Sequence, residues 1–204
     1  MNKDVKLSLS HSNEFDAVRL SPHFTLGELC KTSYDTLDKN IPSRVAIENL
    51  RNLCENWLEE LRERYNALYG QRGVTREGQS PCNSVAKLPA HTGDSPCVSL
   101  AHRGESRCVS LEIPIVISSG YRSEEVNRLC GGAKGSNHLT GCAVDIHCYG
   151  PEQMIRMARI LLDIADETKR EFDELILEKR GSTYWVHLAV RPKDNRRKIL
   201  FDCR

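Results

Sequence analysis

Apolar side chains recur every three or four positions from Val45 to Tyr65, through Ile47, Leu50, Leu53, Cys54, Trp57, Leu58 and Leu61, with Glu and Arg between them. That period predicts an amphipathic helix whose stripe faces a core, entered at Pro42 and Ser43. Ahead of it, LSPHFTLGELC offers Phe24, Leu26 and Leu29 for packing and Thr25 as the cap of a helical turn from Leu26 to Cys30. This segment reads as an arm laid on the core. The run IPIVISSGYRS, from Ile113, is rich in β-branched residues and predicts a buried strand ending in a Ser-Gly turn. Ser123 then caps a helix over SEEVNRLC with Val126, Leu129 and Cys130 inward, and Gly131-Gly132 ends it. A short strand at Ala143 to His147 and a helix from Pro151 to about Glu167 follow. FDELILEKRGSTYWVHLAV predicts a hairpin turning near Arg180 to Ser182, and RKILFD an edge strand.

Between Gly70 and Glu112 no period survives. Near-repeats occur there, SPCNSVA at 80 and SPCVSLA at 95, with CVSL again at 108, but they are shorter than any solenoid unit. A patternless stretch this long is expected to be an insertion, disordered or looping from the surface. The expected organisation is a polar lead over 1–20 and one α+β domain over 21–204, interrupted at 70–112. Its sheet is small and mainly antiparallel, with helices packed against it.

Charge narrows the classes of partner. Lys and Arg total 29 against 28 for Asp and Glu, so nothing electrostatic points to nucleic acid or an anionic membrane. No apolar stretch is long enough to cross a bilayer, and MNKDVKLSLSHSNEF lacks the apolar core of a signal peptide. The chain is therefore expected to be made in the cytoplasm as a soluble monomer, reaching an outside target only by release or export. The nine cysteines are odd in number and include no C-x-x-C pair. They read as mostly reduced thiols, with a disulfide framework as the alternative, and their spacings fit no zinc knuckle.

Candidate chemistry gathers late in the chain. His138 lies in a Gly-rich turn, and Asp145, seven residues on, lies in a strand, so the intervening chain can fold back and aim both at one point. In TYWVHLAV, alternation sets Trp185, His187 and Ala189 on one face and Tyr184, Val186, Leu188 and Val190 on the other. A hydrolytic zinc site takes three protein donors and leaves a fourth position to water, so these three suffice. Taken singly, each also has an ordinary reading as a hydrogen-bonded histidine or carboxylate. His147 shares the face of Asp145 and is an alternative ligand or support. Cys142 and Cys148 read as small buried thiols, and His23, His91 and His102 have no spacing partner.

S-G-Y-R-S at 119, V-N at 126, G-G at 131, S-N-H-L-T-G-C-A-V-D at 136 and W-V-H at 185 together resemble one family. It is peptidase family M15, which comprises the zinc D-alanyl-D-alanine carboxypeptidases and D,D-dipeptidases and includes the phage L-alanyl-D-glutamate endolysins. The resemblance is close over 113–190 and looser over 21–64, and the insertion matches nothing. It implies the zinc fold shared by D,D-peptidases and hedgehog domains, with zinc held by His138, Asp145 and His187. It also implies hydrolysis of peptide bonds in peptidoglycan stem peptides, as a D-Ala-D-Ala carboxypeptidase or an L-Ala-D-Glu endopeptidase. Arg122 is then expected near the substrate, pairing with a carboxylate or the developing oxyanion. Ser136 belongs to the substrate site and also reads as a support for the His138 turn. Many relatives carry an acid three positions before the last histidine, where this chain has Tyr184. Glu178, in an F-D-x-L-I-x-E run, is therefore the expected general base, ahead of Asp173 and Glu174. The other reading is a non-catalytic zinc module that binds cell wall or a partner, as in hedgehog domains.

Overall fold

The computed structural model describes residues 15–36, 39–74 and 108–203. The chain divides into two compact units, one of 1–69 with 113–204 and one of 70–112. In the second, β1 (Gln71–Val74) pairs antiparallel with β2 (Cys108–Leu111). Residues 75–107, the greater part of the expected disordered insertion, lie outside the described residues, as do residues 1–14 of the expected polar lead.

In the first unit the arm forms as its caps dictate. Thr25 Oγ1 accepts from Glu28 N and opens α1 (Leu26–Leu29), and Phe24, Leu26 and Leu29 are buried. Ser43 caps α2 (Arg44–Leu53) by accepting from Ala46 N. The apolar stripe then runs on through a π-helical turn at Cys54–Leu58 into α3 (Glu59–Tyr69), so Leu50, Leu53, Trp57, Leu58 and Leu61 are all buried. The hydrophobic period alone did not foresee the π turn.

β3 (Ile117–Ser119) occupies only the end of the apolar run expected as a strand. Pro114 has no N–H to give a ladder, and Ile113 is bound by Asn66 instead. Asn66 Oδ1 accepts from Ile113 N at 2.6 Å, and its Nδ2 donates to Ile113 O at 3.1 Å. Ser123 caps α4 (Glu124–Leu129), and Gly131 at φ 71 closes it. Leu129 and Cys130, expected to face inward, are exposed, because this short helix buries only Val126 and Asn127. The remaining elements are β4 (Ala143–Cys148), α5 (Pro151–Thr168), β5 (Glu174–Arg180), β6 (Thr183–Ala189) and β7 (Lys198–Cys203).

The fold is α+β, but where a small, mainly antiparallel sheet was expected, the five-stranded sheet, ordered β3-β4-β6-β5-β7, is mixed. Its C-terminal edge strand, β7, runs parallel to β5. The cause is the path of residues 190–197. Because β6 ends opposite Glu174, where β5 begins, a short crossing of that end launches β7 in the same direction as β5. Lys198 N donating to Asp173 O (2.9 Å) and Arg197 N donating to Phe172 O (2.9 Å) fasten the crossing.

Alternation along β4, β5 and β6 turns Val144, Ile146, Leu175, Leu177, Val186 and Leu188 to one face, buried with Met157, Ile160, Leu161 and Ile164 of α5. Trp57 meets Phe172 edge-on at 6.2 Å within this core. Cys30, Cys54, Cys142 and Cys148 are free and buried, and burial pushes the Cys30 and Cys148 thiols up to about 12. The opposite face of the sheet carries Asp145, His187, Glu174 and Glu178.

Three backbone devices place the loops above that polar face. Buried Asn40 donates to Cys30 O (2.8 Å) and Tyr121 O (3.1 Å) and accepts from Ser123 N (2.7 Å), which ties the arm to the turn before α4. Gly120 lies so close to the arm that an added Cβ would stand 2.2 Å from Leu29 O. Gly141 has φ 70, and an added Cβ there would stand 2.4 Å from Ala46 O. Alanine at Gly120 or Gly141 is expected to destabilise by about 2 kcal/mol or more and lower the thermal midpoint by several degrees. Gly135→Ala, where an added methyl meets nothing within 4 Å, should leave the midpoint unchanged. Calorimetry of the three variants checks this.

Candidate metal centre

β4 and β6 pair with Asp145 opposite His187, so the two side chains rise together from the polar face of the sheet. His138 arrives from above, on a 3-10 turn at Asn137–Thr140 that opens with Ser136 Oγ accepting from His138 N (3.3 Å) and closes at Gly141. His138 Nδ1 lies 2.6 Å from Gly120 O, and a carbonyl can only accept, so the ring proton is on Nδ1 and the Nε2 lone pair points into the site. His138 Nε2 lies 3.3 Å from His187 Nδ1 and 3.3 Å from Asp145 Oδ1, and His187 Nδ1 lies 2.8 Å from the same oxygen. All three residues are buried.

That triangle fits a divalent cation. Zinc bonds of about 2.0–2.1 Å at tetrahedral angles hold neighbouring donors roughly 3.3 Å apart. A lone pair facing a carboxylate oxygen at hydrogen-bond range is repulsive unless a proton or a cation lies between them. Burial, the leading influence, pushes the His138 pKa down despite the attraction of Asp145, which disfavours the proton. Burial acts on His187 in the same sense, but its hydrogen bond to Asp145 and the nearby carboxylates outweigh burial and leave it raised. Asp145 is pushed up by burial, yet His138 and His187 hold it far below the usual carboxylate range. Two imidazoles and one ionised carboxylate form a donor set suited to zinc.

Arg122 is brought to this cluster in a different posture from the one expected. Its Nη2 donates to Asp145 Oδ2 at 2.5 Å and its Nε to Ser119 Oγ at 2.7 Å, and its side chain is only 17% exposed. The guanidinium thus braces the second oxygen of Asp145 while the first faces the imidazoles. Glu178 lines the same cleft, of about 890 Å³, with Ser136, Arg122 and the three candidate ligands. Among the described residues Glu178 has no hydrogen bond or ion pair, and burial, reinforced by the charge of Asp145, raises its pKa. Tyr184 lies on the other side of β6, packed against the core, so position 184 does not face the cleft. His147 stands apart against Tyr149, with ring centroids 5.1 Å apart, and is not in the cluster. His23 pairs with Glu59, whereas His91 and His102 lie outside the described residues.

Glu174 stands closer to the cluster than its rank behind Glu178 suggested. Its Oε2 lies 3.9 Å from His187 Nε2, and Asn137, Arg196 and Lys198 hold its two oxygens. Alternation from Glu178 back through Ile176 could have placed it on this face. Asp173, fully buried, accepts from Arg196 Nε and Nη2 at 2.7 Å each and from Asn137 Nδ2 at 2.9 Å. Nothing in a sequence period marks such a non-local clasp.

The bonds from Arg196, opposed by burial and aided by Asn137, take the Asp173 carboxyl down to about 2. A carboxyl with a depressed folded pKa stabilises the fold above its unfolded value, near 4, and loses that contribution as pH falls through the folded one. Asp173→Asn is therefore expected to lower the urea midpoint by a constant amount above about pH 4, with the gap to the parent protein closing from there down to about pH 2. Urea titrations across that range test it.

Among the described residues no helix is long and apolar enough to cross a membrane. No curated protein matches the chain significantly. A family model described as Peptidase M15 matches residues 79–188, more than half of the chain. The match begins within the segment that resembled nothing, and it takes in His138, Asp145 and His187. M15 peptidases are metalloenzymes, in keeping with the buried His-Asp-His cluster. The chain belongs to the peptidase M15 family.

Proposed function

We propose that the chain hydrolyses peptide bonds in the stem peptides of bacterial peptidoglycan, with zinc held by His138, Asp145 and His187. The observation that carries this reading is the meeting of His138 Nε2, His187 Nδ1 and Asp145 Oδ1 within 3.3 Å of one another, in a cleft shared with Glu178, whose carboxylate has no hydrogen bond or ion pair among the described residues. Membership of the M15 peptidases supplies the reaction class. The bond cut is D-Ala-D-Ala or L-Ala-D-Glu, and the fold is read as the zinc fold common to D,D-peptidases and hedgehog domains. The protein works as a monomer, reaching the wall by release or export.

Bound zinc would supply Lewis acidity, lowering the pKa of a coordinated water and polarising the scissile carbonyl. Glu178 takes a proton from the attacking water and returns it to the amine as the C–N bond breaks. Its raised pKa brings it closer to the pH at which it must both accept and donate. Arg122 braces Asp145 in orientation, and Ser136 holds the turn that carries His138. The competing reading, a zinc module that binds without cleaving, drew on the lack of an acid at Tyr184. That position faces the core, so an acid there is not needed for a carboxylate to stand in the cleft.

The purified protein is expected to hold about one zinc, and His138→Ala or His187→Ala to lose it, as read by elemental mass spectrometry. Glu178→Gln should keep the metal while kcat on muropeptides falls by about 10²–10⁴. In the parent protein, kcat/KM should rise with pH through an apparent pKa above the ordinary carboxylate value, because the base must be ionised to accept a proton. That acid limb should vanish in Glu178→Gln. A zinc-loaded protein that binds muropeptides yet releases no amine would sink the hydrolase reading in favour of the binding module.

A further inference from the structure

With its guanidinium engaged by Asp145 and Ser119, Arg122 is poorly placed to take a substrate carboxylate as well. Another guanidinium lines the cleft. Arg191 follows β6 directly, and its side chain is 40% exposed. It borders both the main cleft and a neighbouring groove of about 560 Å³, which is also edged by Lys134 and Lys193. We propose that Arg191 is the specificity residue of this cleft and recognises a free carboxylate on the peptide substrate.

The charge around Arg191 is arranged for an anion. Its Nη1 lies 3.6 Å from Asp173 Oδ1, an ion-pair contact too long for a hydrogen bond, and among the described residues the guanidinium has no other partner. Asp173 cannot neutralise it fully, because Arg196 already holds both carboxylate oxygens and Asn137 holds one of them again. Arg196 is also turned to Glu174 at 3.0 Å. Among the described residues Arg180 and Arg191 are the guanidiniums of this cleft that make no hydrogen bond through their side chains, and of the two only Arg191 also borders the groove edged by Lys134 and Lys193. A guanidinium grips a carboxylate with two parallel hydrogen bonds, which a lysine cannot reproduce.

The site is also preorganised. Arg191 N donates to Asn195 Oδ1 and Asn195 Nδ2 donates to Arg191 O, each at 2.9 Å, closing the turn that carries the side chain. Val190 N donates to Cys142 O at 2.8 Å and fixes the start of that turn. Fewer torsions then freeze on binding. Asn137, the neighbour of His138 in the chain, bonds both Asp173 and Glu174, which links the Arg191 wall to the cluster. Arg191 stands beyond the last residue of the family match, so membership does not assign it a role.

The substrate class rests on the peptidase reading. A stem peptide can offer this carboxylate at its C-terminus or on the α-carbon of its D-Glu residue, and amidation separates the two. Zinc-loaded Glu178→Gln would be titrated calorimetrically with a stem pentapeptide, with its C-terminal amide, and with the peptide carrying D-isoglutamine for D-Glu. One amidation is expected to weaken binding at least about tenfold, naming the source of the carboxylate. Adding Arg191→Ala should weaken the acid by a similar factor and erase the acid-to-amide difference, while Arg191→Lys restores part of it. Zinc content and thermal midpoint should not move. Equal affinity for all three peptides, no binding of any, or an Arg191→Ala loss shared equally by acid and amides overturns the proposal. Acid selectivity that depends on Arg191, in a protein whose parent releases no amine, would keep this inference and discard the peptidase reading. Hydrolysis by the parent enzyme without acid selectivity would do the reverse.

Discussion

A carboxylate taken out of water is costly unless charge and hydrogen bonds compensate it on every side, and Asp145 is such a group. One oxygen faces two imidazole nitrogens and the other receives Arg122, so its compensation is drawn from β6, from the 3-10 turn and from the segment after β3. These segments are distant in sequence, and the carboxylate is satisfied only when all of them are in place. The fold and the candidate centre are therefore one constraint. A register slip of one residue between β4 and β6 would turn His187 into the core and leave Asp145 without it.

The main chain enforces the same geometry from above. Gly120 serves twice, approaching Leu29 closely enough to exclude a side chain while its carbonyl holds His138 Nδ1. Arg122 N and Gly141 N both donate to His138 O, so the turn bearing the histidine is also stitched to the segment bearing the arginine. Asn40 carries the linkage out to the arm. The arm is thus part of the support for His138, reaching it through Gly120, which packs on Leu29, and Tyr121, whose N donates to Leu29 O.

Local signals in the chain were readable wherever one element decides them. The caps at Thr25, Ser43 and Ser123, the period of α2 and α3, the alternation of β6 and the glycine ends of short helices all follow from neighbours within a few residues. The meeting of His138, Asp145 and His187 was legible because a motif of known order carried it, not because spacing alone demanded it. What escaped was non-local. The parallel placement of β7 depends on where residues 190–197 cross the sheet, and the engagement of Arg122 depends on a buried partner twenty-three positions away. The shortened β3 turned on Asn66 competing for the backbone of Ile113, a side chain on the far helix.

The two glutamates of β5 illustrate how position on one face does not decide role. Glu174 and Glu178 are four residues apart, so pleating sets both toward the cleft. Glu174 is surrounded by donors from Asn137, Arg196 and Lys198, which hold its charge and its geometry. A carboxylate so held is suited to orienting His187 and poorly suited to collecting a proton, since any movement forfeits three partners. Glu178 has burial and the charge of Asp145 acting on it, only partly offset by His187 and Arg180, and among the described residues it has no hydrogen bond, which leaves its affinity for a proton raised. A proton shuttle needs a group whose two protonation states are close in free energy. The same strand thus offers one carboxylate fixed for support and one left free to titrate, and the division follows from their partners rather than from their residue type.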